Sequence, residues 1–443
     1  MENKKNILLI SNFEKTYWYH KIFYNNFDNE NIYWYVVNKK NFNFLKKFYD
    51  HQKIIYLNKK NFVDFDEKTD NFEDLKINEL LFADRALDIN QNNANYLKTL
   101  STYIFKFLKK NKIEFIFGEF TWSYELIISR VAKLLNIPYY NLQSTRYPSN
   151  RFLFYSNEKQ NLFYLRKSNQ NKIDYREDQN QYENYIQQKN KDKNSIKLNV
   201  YKFFRLFFND YYDKDDPTYI SKIQRSKNFI LKFYNKIGFN LLPKIRTQNL
   251  KNKKYLIYFL QKSPESTVDV KGMYYSDQAN NIINIWKILP NDFKLIVKEH
   301  PNCVGERSIF YYLKFLKLNN IFLINLNDLN LGKESENFIN NSLATFSIAS
   351  TASLNSSLQN VHSFTFAETF FNCLDYSYNL SLEDLKNSKN LSDLISIKSE
   401  ENLSKNDFYL NNSFEGYIID EHLKDENNLE KIRNALNEVI FEN

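Results

Sequence analysis

Short apolar runs alternate with helix-period stretches in two separate blocks of this chain, and no other feature narrows its fold as far. In the first block, Ile7–Ser11, Ile32–Val37, Lys53–Leu57, Ile113–Phe117 and Pro138–Leu142 have the length and the apolar content of buried strands. Thr121–Asn136 places Leu126, Ile127, Val131, Leu134 and Leu135 at helical spacing, and Tyr96–Asn111 reads as a helix ahead of Ile113. The alternation resumes with strands at Tyr255–Leu260, Phe293–Lys298, Ile321–Leu326, Ala344–Ile348 and Ser363–Phe366. Asp277–Leu289, Arg307–Leu318 and Ala352–Gln359 can supply the crossover helices between them. Strand, helix, strand with short connections builds parallel sheets, so the expected class is α/β with two Rossmann-like halves.

The boundaries follow from where that pattern stops. Residues 1–157 form the first Rossmann-like domain and 251–425 the second. Residues 158–250 are rich in Asn, Lys, Gln, Asp and Tyr, with apolar residues in helical clusters: Val200, Phe203, Phe204, Leu206 and Phe207, then Ile230, Leu231 and Phe233. They read as a helical insertion or linker, in which Phe203–Phe208, beside Lys202 and Arg205, fits a helix packed on a domain ahead of an amphipathic membrane-facing one, and Asp213-Lys214-Asp215-Asp216 a solvated turn. Residues 426–443 carry Leu429, Ile432, Leu436, Val439 and Ile440 on one stripe, an amphipathic closing helix.

A length of 443 residues fits two domains, and a hydrophobic content of 43% is enough for real cores. The abundance of Asn and Lys reflects the amino-acid bias of an AT-rich genome rather than disorder. A formal charge of +9 favours an anionic partner, such as a nucleotide-sugar or a phospholipid surface. No recognition module for nucleic acid is present, so none is expected as a partner. Cys303 and Cys373 have no paired spacing, which argues against a disulfide framework and fits a reducing cytoplasm. The N-terminal apolar run Ile7–Ile10 is too short for a signal peptide, and no segment reaches the ~18 apolar residues of a membrane span.

Candidate chemistry gathers at strand ends in the second block. Lys294-Leu295-Ile296-Val297-Lys298-Glu299-His300-Pro301 is an apolar run with a charged and imidazole-bearing tip, and Pro301 stops the strand there. In an open α/β sheet ligands bind beyond the carboxyl ends of strands, which would make Lys298, Glu299 and His300 project toward a ligand. Gln261-Lys262-Ser263-Pro264-Glu265-Ser266-Thr267 follows a second strand and Ala349-Ser350-Thr351-Ala352-Ser353 a third. Ser350 and Thr351 open a helix, where hydroxyls cap and backbone N–H groups attract phosphate. Together these tips point to a nucleotide phosphate held by His300, Ser350 and Thr351, with Glu265 placed to accept from a ribose or base. The absence of a GxGxxG or Walker loop disfavours dinucleotides and a P-loop.

These stretches, with Gly272-Met273-Tyr274-Tyr275-Ser276-Asp277-Gln278, Gly305-Glu306-Arg307 and Ser350-Thr351-Ala352, resemble the bacterial capsule polysaccharide synthesis glycosyltransferases, a family containing Kdo transferases that use CMP-Kdo. The His-Pro and Ser/Thr pairs are also similar to motifs with which bacterial sialyltransferases hold CMP-sialic acid. The resemblance covers residues 255 to 370. It implies a GT-B-like fold, two Rossmann-like domains facing a cleft, with 1–157 on the acceptor side and Glu265, Lys298, His300, Pro301, Ser350 and Thr351 at the donor. It further implies transfer of an ulosonic acid from its CMP form onto a surface polysaccharide or glycolipid, with no cofactor besides the donor substrate. The chain departs from the family where a Gly-Lys-Pro-like turn is common and Asn360-Val361-His362 stands instead, so other CMP-linked nonulosonates and UDP- or GDP-hexoses stay open.

Such a reaction needs a carboxylate from the other half. Glu119, between strand Ile113–Phe117 and the helix opening at Thr121, is the first candidate. Asp84 beside Arg85 is the second, and Arg146 with Arg151 could grip a donor carboxylate or an acceptor phosphate. Acidic residues at metal-binding spacing are scarce, so a metal-independent site is expected, in a cytoplasmic protein that is either soluble or seated at the cytoplasmic face of the inner membrane. Two other classes fit the sequence: a CDP-linked polyol-phosphate polymerase, and a non-enzymatic RNA- or membrane-binding adaptor.

Overall fold

The structure is a computed structural model that describes residues 4–13, 15–24, 26–62, 75–145, 150–167, 215–329, 332–402, 411–418 and 425–441. Chain contacts divide it into two units, Met1–Glu158 with Leu162–Lys222 and Leu410–Asn443, and Lys159–Asn161 with Ile223–Tyr409.

The first unit runs β1 (Ile7–Ile10), α1 (Lys15–Phe23), β2 (Ile32–Val36), α2 (Lys39–Leu45), β3 (Ile54–Tyr56), α3 (Ile77–Ala83), α4 (Gln91–Lys110), β4 (Phe115–Phe117), α5 (Ser123–Leu134), β5 (Tyr139–Ser144) and β6 (Arg151–Tyr155). The second contains α6 (Lys222–Leu241), β7 (Lys244–Ile245), β8 (Tyr255–Phe259), α7 (Gln278–Lys287), β9 (Lys294–Lys298), α8 (Ile309–Leu316), β10 (Ile321–Ile324), α9 (Gly332–Asn340), β11 (Ala344–Ser347), α10 (Thr351–Leu358), β12 (His362–Thr365), β13 (Ser377–Asn379), α11 (Leu382–Asn387) and α12 (Leu391–Asn402). The chain then returns to the first unit with β14 (Phe414–Glu415) and α13 (Glu426–Phe441).

Each unit is built on a seven-stranded sheet, ordered β14-β6-β5-β4-β1-β2-β3 in the first and β13-β12-β11-β8-β9-β10-β7 in the second. All pairings in the second sheet are parallel, as are those among β1 to β5 in the first. The expected α/β class with two Rossmann-like domains is therefore present. Strands so apolar are accounted for by burial on both faces. In β8 and its continuation, Leu256, Tyr258 and Leu260 enter one core cluster, and Tyr255, Ile257 and Phe259 enter another on the opposite face.

The ten strands expected from the sequence all occur with ends moved by a residue or two; most are shorter, while β5 runs on to Ser144 and β12 starts at His362. The structure adds antiparallel β6, five residues long, and the strands β7, β13 and β14, whose two or three residues carry no readable period. The described residues of segment 158–250 divide between the two units. Arg166 pairs with Glu438 in the first unit, whereas α6 belongs to the second and β7 extends its sheet alongside β10. Phe203–Phe208, Asp213 and Lys214 lie outside the described residues. Asp216, expected in a solvated turn, is instead buried and accepts from the N–H and hydroxyl of Thr218. Helix α13 places Leu429, Ile432, Leu436, Val439 and Ile440 in one apolar cluster with Ile7, Leu9 and Trp34 of the first sheet.

Candidate functional site

Strand order locates the chemistry. In the second sheet the chain runs outward from β8 through β9 to β10 on one side and from β11 through β12 to β13 on the other, so the order reverses between β8 and β11. A reversal of this kind opens a crevice at the carboxyl edge of a parallel sheet. Glu265 follows β8 and Ser350 follows β11, on either side of that crevice, and His300 follows the neighbouring β9. Adjacent strands stand about 5 Å apart, which keeps the three connections on one short stretch of rim.

What ties the tips together is a buried polar bracket. The Glu299 carboxylate does not project toward a ligand as the sequence had led us to expect. It is buried, and Arg307 Nη1 donates to both its oxygens at 2.7 and 2.8 Å. Tyr312 Oη and the His300 backbone N–H also donate to it, at 2.6 and 2.7 Å. Burial raises the Glu299 carboxyl above its ordinary value, even with Arg307, Tyr312 and the His300 N–H pulling the other way. Arg307 Nη2 donates to the backbone oxygen of Gln261, whose side-chain oxygen accepts from the Ala349 N–H at 2.6 Å. An unbroken chain of bonds thus runs from the His300 backbone through Glu299, Arg307 and Gln261 to the connection carrying Ser350. Gln278 locks Gln261 further by exchanging two hydrogen bonds with its backbone, at 2.8 and 3.0 Å.

The sequence offered Glu299 as a ligand contact and Gln261 only as the start of a tip, and Gln278 and Arg307 stood in the stretches that carry the resemblance; none was read as part of a bracket. The signal available was a Gln immediately after six consecutive apolar residues, Tyr255 to Leu260.

The tip residues do two jobs. His300 Nδ1 accepts from the Asn302 N–H at 3.2 Å and caps the short turn Pro301–Cys303, with Pro301 at its first position. A neutral ring accepting at Nδ1 carries its proton on Nε2, as a donor. Ser350 caps α10 by accepting from the Ala352 N–H at 3.1 Å, which leaves its hydroxyl proton available to donate. Thr351 is the first residue of that helix.

Lys298 lies on the sheet face opposite to Glu299, with its ammonium 5.6 Å from the Phe259 ring centroid. No hydrogen bond or ion pair to it occurs among the described residues, and burial pulls its pKa down. Phe259 and Ala352 belong to one cluster, so this cation and the start of α10 share a face of the sheet.

The Glu265 N–H donates to Asp269 at 2.5 Å, and its carboxylate has no partner among the described residues. Gly272 closes this connection against β11, where a Cβ on it would stand 2.2 Å from Ile348 Cγ2. A separate concavity lined by Trp286, Pro290, Phe293 and Asn320 opens at the amino ends of β9 and β10, away from the tips.

The first unit has its own reversal, between β1 and β4, and Glu119 stands there. Its carboxylate accepts from Asn12 Nδ2 at 3.0 Å and lies 3.5 Å from Lys15 Nζ. The same Asn12 nitrogen lies 2.8 Å from Glu125 Oε1, and Glu125 Oε2 accepts from the N–H groups of Thr121 and Trp122 and from the Thr121 hydroxyl. Burial first, and the charge of Glu119 second, push the Glu125 carboxyl up to about 7. Glu125, missed in the sequence, is visible there as an acid inside the apolar stripe of the expected helix.

Asp84, the second catalytic candidate, is engaged with backbone in the structure. Its oxygens accept from the backbone N–H groups of Ala86, Leu87 and Ser123, the last opening α5, so it serves as a cap. Arg151 is buried and donates to the Ser413 hydroxyl and carbonyl at 2.6 Å each, which ties β6 to β14 rather than gripping a ligand. Arg146 lies outside the described residues. Among those residues no His, Cys, Asp and Glu cluster could hold a metal ion, and no helix is long and apolar enough to cross a membrane.

No protein-family model matches the chain, and no curated protein does. Solved structures similar to it include the β-Kdo 2,7-transferase KpsC of Thermosulfurimonas dismutans, at 9% identity and TM-score 0.33 over 83% of this chain and 97% of that one. UDP-GlcNAc 2-epimerase of Neisseria meningitidis, bound to UDP-GlcNAc, matches at 9% identity and TM-score 0.26 over 97% and 98%. The corresponding epimerase of Methanocaldococcus jannaschii matches at 12% identity and TM-score 0.25 over 97% and 98%. Superpositions this loose speak to neither substrate nor mechanism, and the geometry of the two sheets stands by itself.

Proposed function

We propose that the protein is a glycosyltransferase that moves an ulosonic acid, Kdo or a relative, from a CMP-activated donor onto a surface polysaccharide or glycolipid. The observation that carries the reading is the grouping of Lys298, the His300 tip and the start of α10 at the strand-order reversal of a parallel sheet. An ammonium with no ion-pair partner among the described residues and a helix N-terminus are complementary to a phosphate. The His300 Nε2 proton and the Ser350 hydroxyl can donate to its oxygens, with Pro301 and Thr351 framing the two turns and Glu265 accepting from the ribose or base.

In the reaction the bond between the anomeric carbon and the phosphate oxygen breaks, and CMP leaves with the electron pair. Lys298 and the donors around it offset the charge that develops on the phosphate. Glu119 takes the proton of the acceptor hydroxyl as that oxygen attacks. Arg307, Glu299 and Gln261 touch no substrate in this scheme and hold the tips in register.

The test is release of CMP from CMP-Kdo in the presence of acceptor glycan. Wild-type protein should turn over, and Glu119→Gln should lose turnover about a hundredfold or more while still binding CMP. Unchanged turnover in that variant would remove Glu119 from the mechanism.

A further inference from the structure

Helix α6 presents its apolar side chains to solvent. Ile223 (83% exposed), Ile230 (55%), Phe233 (60%), Tyr234 (64%), Ile237 (46%) and Leu241 (78%) all stand open. At about 100° per residue these six fall on one stripe roughly 100° wide, with Phe229 (47% exposed) and Leu231 (47%) on its two margins, running the length of a helix about 30 Å long. The opposite side is the one fixed to the domain. Phe239 is buried with its ring 5.2 Å from that of Tyr312, and Lys232 pairs with Glu306. Gly305, at a φ of 94°, brings its α-carbon against the Lys232 carbonyl, where a Cβ would stand 2.5 Å from the oxygen. A surface helix of a globular protein ordinarily turns its apolar face inward, so this one is inverted. On the helix packed beside it, Phe310 and Leu313 are exposed as well.

The charge of the helix identifies the occupant. It carries Lys222, Arg225, Lys227, Lys232 and Lys236 and has no acidic residue. Lys227 stands beside the stripe. A second copy of the same helix laid on this face would bring cations against cations, whereas an anionic bilayer surface accepts the apolar stripe among its acyl chains and the lysines among its headgroups.

We propose that α6 is an interfacial helix that seats the second unit on an anionic phospholipid surface. The inference does not depend on the transferase reading. Its test is flotation of the full-length chain with vesicles of phosphatidylcholine alone and of phosphatidylcholine containing about one third phosphatidylglycerol. The protein should float with the anionic vesicles and be released as salt is raised. Ile230→Asp with Ile237→Asp should weaken partitioning about tenfold or more. Both side chains are exposed, so the melting temperature should hold. Lys227→Ala should cost about fivefold at low salt. Absence of flotation, equal flotation with neutral vesicles, or equal flotation of the Asp variant would overturn the assignment. So would a wild-type dimer that the Asp variant converts to monomer without any uptake by lipid.

Discussion

Arg307 grips Glu299 through one nitrogen, Nη1, which lies 2.7 and 2.8 Å from its two carboxylate oxygens, and uses Nη2 on the carbonyl of Gln261. One guanidinium thereby joins the connections after two neighbouring strands, β8 and β9. Removing one partner of a buried ion pair leaves the other uncompensated. Glu299→Ala should therefore lose about 3–5 kcal/mol of stability in denaturant unfolding. Arg307→Lys cannot reproduce a planar fork serving two acceptors, so it should destabilise as well and loosen nucleotide binding in parallel. A Glu299→Ala protein as stable as wild type would mean that the bracket does not hold the tips.

Glu125 makes stability depend on pH in an unusual direction. Its folded carboxyl titrates at about 7, above an unfolded value of 4.5, so between those values the folded chain holds a proton that the unfolded chain has lost. Stability from this group is then fully present below the unfolded value and falls as pH rises toward 7, by up to about 1.4 kcal/mol per pH unit. Glu125→Gln should flatten the slope of unfolding free energy between pH 5 and pH 7, whatever it does to the absolute stability. Parallel wild-type and variant slopes across that window would contradict the assignment.

Gly272 is a matter of space rather than of backbone freedom, since its φ is −101°. With a Cβ 2.2 Å from Ile348 Cγ2, Gly272→Ala should force the Glu265 connection away from β11. The expected cost is about 1–3 kcal/mol, read in thermal or denaturant melts, together with weaker nucleotide binding. An alanine variant with wild-type stability would show that the two connections are not in fixed contact.

Much of this was legible in the sequence, for physical reasons. Strands such as Tyr255–Phe259 are buried on both faces, so they read as uninterrupted apolar runs, and helices such as α5 and α13 carry their period openly. The tips at His300, Ser350 and Glu265 could be read because each follows such a run.

The partners of those tips could not be read. Glu299 beside His300 gave no hint that it turns inward, because alternation about a strand end places neighbours on opposite faces without saying which face is wet. Its partners Arg307 and Tyr312 are set by three-dimensional packing, as are the three N–H groups that occupy Asp84 and the Ser413 contacts that occupy Arg151. The inverted face of α6 was equally hidden, since its period reports an amphipathic helix and not which side is packed.

The most direct test of the account is calorimetric titration of the purified protein with CMP, CDP, UDP and GDP. Micromolar binding of CMP over the others is expected, weakened about tenfold or more by His300→Ala. His300→Asn, which can still cap the Pro301–Cys303 turn, should show the same loss, because it lacks the Nε2 donor. Equal and weak binding of every nucleotide, or CMP binding untouched by either substitution, would contradict the CMP-donor reading.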